Sequence, residues 1–128
     1  MKAQDVMTTD VISVPPDATA IEVIDILLTN KISGVPVVDS QKKALGVLSE
    51  LDLLLALDHV GSGVQVHKLM NSPVLGVKLD TELEEIYTIF RDRNIRRVPV
   101  LDEEGRVLGI ISRRDCLKMR LQTNGFGH

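Results

Sequence analysis

The chain has 128 residues, 44% hydrophobic and 26% charged, with a net charge of −3 and an aromatic content of 2%. At that length one domain, or two small repeats sharing a core, buries roughly two-thirds of the unfolded chain's surface. The apolar run Leu53 to Leu57 falls far below the ~18 residues a membrane span needs, Cys116 as the single cysteine excludes an intramolecular disulfide, and acidity with few aromatics argues against a dedicated nucleic-acid binder.

In chain order, Met1 to Asp5 lacks the basic start and apolar stretch of a secretory signal, so a cytoplasmic location is the expectation. Val11 to Val14 is a short β-branched stretch and predicts a strand. Ala20, Val23, Ile24, Leu27 and Leu28 follow at helical spacing, with Asp17 before them as a candidate cap. Val35 to Val38 predicts a second strand, placed at an edge or a strand start because Pro36 cannot donate to a ladder. Asp39 to Lys42 reads as a hairpin loop, Ala44 to Leu48 as the returning strand, and a second helix begins just after Ser49. That helix is apolar on nearly all sides from Leu51 to Leu57, which suggests burial against another subunit as well as its own core.

The same order then recurs. Residues 5 to 57 align without a gap on 68 to 120 at an offset of 63, with 16 of 53 pairs identical, among them Met7 on Met70, Val35-Pro36-Val37 on Val98-Pro99-Val100, Ser49 on Ser112 and Asp52 on Asp115. The second copy predicts a strand at Val74 to Val77, a helix through Leu83, Ile86, Tyr87 and Phe90 with Asp80 as its cap, a hairpin over Val98 to Ile111, and a helix after Ser112. The expected fold is α/β (α+β), two pseudo-symmetric repeats of strand-helix-strand-strand-helix type. The divisions read as 1–58 for the first repeat, 59–66 for a linker, 67–122 for the second repeat and 123–128 for a tail.

The pairs Ser49-x-x-Asp52 and Ser112-x-x-Asp115 stand at strand-to-helix junctions. One reading is a capping box, in which serine and acid satisfy each other's backbone amides. The other is a ligand site, where a helix start offers amides to a phosphate and a carboxylate one turn in accepts hydrogen bonds from a ribose diol.

Ile32-Ser33-Gly34-Val35-Pro36-Val37-Val38-Asp39 with Leu45 to Leu54, and again Ile95 to Asp102 with Gly109 to Asp115, resemble the cystathionine-β-synthase (CBS) repeat. The resemblance covers about residues 3 to 121. It implies a paired regulatory module, a disc-like homodimer, and adenosyl ligands held in clefts between repeats: AMP, ADP, ATP or S-adenosylmethionine as regulatory ligands, with no required cofactor. Carried over residue by residue, it implies one site at Val11, Ile32, Ser33, Val35, Pro36, Ser49 and Asp52. The other comprises Val74, Ile95, Arg96, Arg97, Val98, Pro99, Ile110, Ser112, Arg113, Arg114 and Asp115. In both, the aspartates would hold ribose hydroxyls, the serines would contact ribose or phosphate, and the isoleucines and valines would wall the adenine. Arg97 matches a phosphate-binding arginine of AMP-activated kinase gamma subunits, where Arg96 replaces a histidine.

The two copies differ in charge. Arg96, Arg97, Arg113 and Arg114 stand where the first copy has Ser33, Gly34, Glu50 and Leu51. Arginines in a helix's first turn oppose its dipole and need an offsetting partner; a phosphate is one, while solvent or Asp102, Glu103 and Glu104 are the others. The second site is therefore expected to prefer a phosphorylated adenine nucleotide. His59, His67 and His128 have no metal-ligand spacing, no nucleophilic triad or phosphate loop occurs, and an enzyme is the least supported class. An unknown effector protein acted on in trans is the expected output. The rivals are an interaction protein with degenerate clefts and a nucleic-acid binder using the Arg91 to Arg97 and Arg113 to Arg120 stretches.

Overall fold

A computed structural model describes residues 1 to 124, with side chains to residue 122. His128 and most of the 123–128 tail lie outside the described residues.

The elements are α1 (Ala3–Val6), α2 (Ala20–Asn30), β1 (Gly34–Val38), β2 (Ala44–Ser49), α3 (Glu50–His59), a 3-10 turn (Val66–Lys68), α4 (Leu83–Arg93), β3 (Arg97–Leu101), β4 (Val107–Ser112) and α5 (Arg113–Asn124). They form two units, Ile12–Val74 and Met1–Val11 with Leu75–His128. The units do not follow the repeats end to end. The lead segment of the first repeat packs with the second repeat's hairpin, while the stretch through Val66 and Asn71 packs with the first repeat's hairpin. Much of the expected 59–66 linker is thus built into a unit: Val66 is fully buried, and its amide donates to Ala18 O at 2.8 Å.

In the Ile12–Val74 unit, β1 and β2 pair antiparallel, and Val35, Val37 and Leu48 pack with Val23, Leu27 and Leu53 from the helices. Val14 joins β1 through one parallel bridge to Val37, donating to Pro36 O and accepting from Val38 N. Backbone direction alternates along a strand, so the nitrogen of Pro36 faces the same side as that of Val38, away from the β2 ladder, and its missing hydrogen leaves the ladder intact. Val11 to Val14 and Val74 to Val77 are accordingly extended segments with one bridge each, at Val14 and Val77, and not the strands expected. Each segment is too short to offer a continuous ladder.

The caps also differ from expectation. Thr19, not Asp17, caps α2: its Oγ1 accepts from Glu22 N at 3.4 Å, and Glu22 Oε1 accepts from Thr19 N at 3.2 Å. Glu82, not Asp80, precedes α4 and makes no side-chain cap. In both cases the aspartate lies too far before the helix for its oxygen to reach the first-turn amides.

The other unit repeats the plan with β3 and β4, whose Val98, Val100 and Ile111 pack against Leu83, Ile86, Phe90 and Cys116. Both hairpins close on an Asx turn. Asp39 Oδ1 accepts from Gln41 N and Lys43 N at 2.8 and 2.9 Å, and Asp102 Oδ1 accepts from Glu104 N and Arg106 N at 2.9 and 2.8 Å. The left-handed position that ends each loop is Lys42 (φ 67°) in one and Gly105 (φ 83°) in the other.

Candidate functional site

Each Ser-x-x-Asp pair forms a reciprocal cap. Ser49 N donates to Asp52 Oδ2 at 2.8 Å and Asp52 N donates back to Ser49 Oγ at 3.3 Å; in the other unit Ser112 N reaches Asp115 Oδ2 at 2.9 Å and Asp115 N reaches Ser112 Oγ at 3.0 Å. The capping reading is therefore realised in both units. It does not consume the carboxylates, because a carboxylate carries roughly four acceptor sites. At Asp115 the second oxygen, Oδ1, accepts from none of the described residues.

Strand register decides which neighbours share that turn. Arg97 pairs with Ser112 and Pro99 with Ile110, while Val98 pairs with Ile111 on the alternate face. Val98 is fully buried and belongs to the core, as does Val35 in the other unit. Alternation along the strand turns both valines toward the helices. Ile32 and Ile95 are partly buried and pack against their cores from the edge. Pro36 and Pro99 are buried, whereas Val11, Val74 and Ile110 are half-buried. Ser33 lies in the bend before β1, and its carbonyl accepts from Glu50 N at 3.0 Å, as that of Arg96 accepts from Arg113 N at 3.0 Å.

The four arginines separate. Arg97 opens β3 and is half-buried beside Ser112, and Arg96 and Arg114 have exposed side chains near the same turn. Arg113 goes elsewhere. Its Nε donates to Ile95 O at 2.9 Å and its Nη2 to Phe90 O at 3.0 Å, with the guanidinium carbon 5.9 Å from the centre of the Phe90 ring. Phe90 O is one of the last-turn carbonyls of α4 that lack an intrahelical donor, so Arg113 satisfies a helix C-terminus and offsets its dipole. Among the described residues the Arg113 guanidinium is thus engaged by two backbone carbonyls and not by Asp102, Glu103 or Glu104.

Two residues absent from the sequence-based site adjoin these turns. Asn71 pairs with Val47 of β2, and Thr8 pairs with Ile110 of β4. The two occupy matching places, since the 63-residue offset carries Thr8 onto Asn71. Asn71 Nδ2 donates to Asp52 Oδ2 at 3.0 Å, and Thr8 makes no side-chain hydrogen bond among the described residues. The signal was present in the repeat alignment, one residue beyond the identical pair Met7 and Met70.

Cys116 lies directly behind Asp115. Burial, followed by the adjacent carboxylate, pushes its thiol above the ordinary range. No group of three or more His, Cys, Asp or Glu side chains among the described residues is arranged to hold a metal, and no helix among them is long and apolar enough to cross a membrane.

The sequence model of the CBS domain matches residues 3–59 and 66–121. Inosine-5'-monophosphate dehydrogenase of Methanocaldococcus jannaschii is 38% identical over 119 residues, which are 93% of this chain but 23% of that enzyme. The structure of CBSX2 of Arabidopsis thaliana in complex with AMP superposes with a TM-score of 0.87 at 28% identity, covering 96% of this chain and 98% of that one. The cytosolic domain of the magnesium channel MgtE in complex with ATP superposes with a TM-score of 0.80 at 32% identity, covering 92% of this chain and 48% of that one. Repeat and fold agree with these relatives, and the chain belongs to the CBS domain family as a pair of CBS repeats.

Proposed function

We propose that this chain is a regulatory ligand-sensing module that takes an adenine nucleotide at the Ser112–Asp115 turn and acts on a partner protein in trans. One observation carries the reading: Asp115 is held by its cap through Oδ2 while no described residue donates to Oδ1, next to the strand that Arg97 begins. A carboxylate so fixed accepts hydrogen bonds from both hydroxyls of a ribose, and the first-turn amides of α5, with Arg96 and Arg114, attract the phosphate. A relative of similar length and fold carrying AMP, and a further one carrying ATP, support the ligand class. Such a ligand regulates by the difference in its affinity for two states of the module.

Self-association belongs to the same reading. Leu51, Leu54, Leu55 and Leu57 of α3 are 60%, 64%, 50% and 43% exposed, an apolar face suited to a second copy of the chain.

Titration calorimetry with AMP, ADP, ATP and S-adenosylmethionine tests the ligand. Saturable binding of at least one is expected; absence of binding of all four at millimolar concentration overturns the reading.

A further inference from the structure

Asn71 and Thr8 sit on the same backbone frame. Asn71 N and O bond to Val47 at 2.9 and 3.1 Å, and Thr8 N and O bond to Ile110 at 2.8 and 2.9 Å. The residue before each is a methionine over a glycine: a Cβ on Gly46 would lie 2.6 Å from Met70 Sδ, and one on Gly109 would lie 2.7 Å from Met7 Sδ. Close packing thus holds both segments against the β2 and β4 strands in the same way. Only the side chain that follows differs.

That difference changes the carboxylate. Asp52 Oδ2 accepts three hydrogen bonds, from Ser49 N, Ser49 Oγ and Asn71 Nδ2, whereas Asp115 Oδ2 accepts one, from Ser112 N. An oxygen with three donors has no acceptor capacity left, and a vicinal diol binds a carboxylate best through one hydroxyl on each oxygen. A ribose approaching Asp52 must therefore displace the Asn71 amide or settle for a single bond.

We infer that Asn71 is a specificity-determining residue, an internal competitor for Asp52 that reserves tight ribose binding for Asp115. The inference rests on the reading of the Ser-x-x-Asp turns as ribose sites and adds what makes them unequal. The ligand class disfavoured at Asp52 is any nucleoside that depends on its 2′,3′-diol.

The test replaces Asn71 by the residue its counterpart carries. Asn71 is exposed and Thr favours extended backbone, so Asn71→Thr leaves the packing in place. AMP and 2′,3′-dideoxy-AMP are titrated into wild type and variant by calorimetry. Wild type is expected to show one tight AMP site per chain, and Asn71→Thr to tighten the weaker site by about tenfold, the worth of one charge-assisted hydrogen bond, with no gain for the dideoxy compound. AMP binding to wild type that Asn71→Thr leaves unchanged, or an equal gain for dideoxy-AMP, overturns the inference alone. Absence of AMP binding to both proteins overturns the ribose reading and the inference with it.

Discussion

Arg113 reaches back across 18 residues to the carbonyl of Ile95 and across 23 to that of Phe90, joining the start of α5 to the end of α4. A side chain so engaged stabilises the fold. Arg113→Ala is expected to lower stability by about 1 kcal/mol, the low end for bonds from a charged donor because the side chain is largely exposed. Urea unfolding measures the loss. AMP affinity, corrected for the folded fraction, should be unchanged within twofold on the order-of-magnitude scale of binding free energies.

The neighbouring arginines should behave in the opposite way. Arg96→Ala and Arg114→Ala alter exposed positions and are expected to leave the unfolding midpoint near wild type. Each should weaken AMP more than adenosine, and the gap should narrow as salt is raised. Equal weakening of both ligands would show that these side chains do not face the phosphate.

Asp115→Asn keeps an oxygen for the cap but removes the charge that strengthens a diol contact. It is expected to abolish most AMP binding, while Asp52→Asn has a smaller effect because Asp52 already holds Asn71. Equal losses in parallel titrations would remove the asymmetry between the two turns.

Lys42 and Gly105 end matching hairpin loops with positive φ, a conformation that costs a non-glycine residue roughly 1–2 kcal/mol. Lys42→Gly should stabilise the protein by about 0.5–1 kcal/mol after the added entropy of the unfolded chain is deducted. Gly105→Lys should destabilise it. Thermal unfolding of the two variants and of the double exchange checks both signs.

Cys116 gives a pH signature. Its thiol is raised by burial and then by Asp115, so the folded state favours the protonated form more than the unfolded state does. The stability this represents is fully present below the ordinary thiol range and is lost as pH rises through the folded-state value. Between neutral and strongly alkaline pH the wild type should lose more stability than Cys116→Val. Its alkylation by iodoacetamide at pH 8 should be slower native than unfolded.

The sequence by itself determined the repeat, the helix and hairpin order, and the two capped turns. The caps and hairpin loops depend on bonds between residues at most four apart, such as Ser49 with Asp52 or Asp102 with Arg106, and local spacing encodes such bonds directly. Even there the nearer of two candidates was decisive: Thr19 beside the helix caps it, and Asp17 does not. Tertiary structure decided the rest. It sent Val35 and Val98 to the cores, gave Arg113 to the α4 carbonyls, and brought Met7 and Thr8 to Gly109 and Ile110 while Met70 and Asn71 met Gly46 and Val47. The contact between Asn71 and Asp52 arises from that last pairing. No local pattern prescribes it, because the two residues meet only after separate segments have packed against one strand, and the close approach of methionine to glycine sets where the next side chain falls.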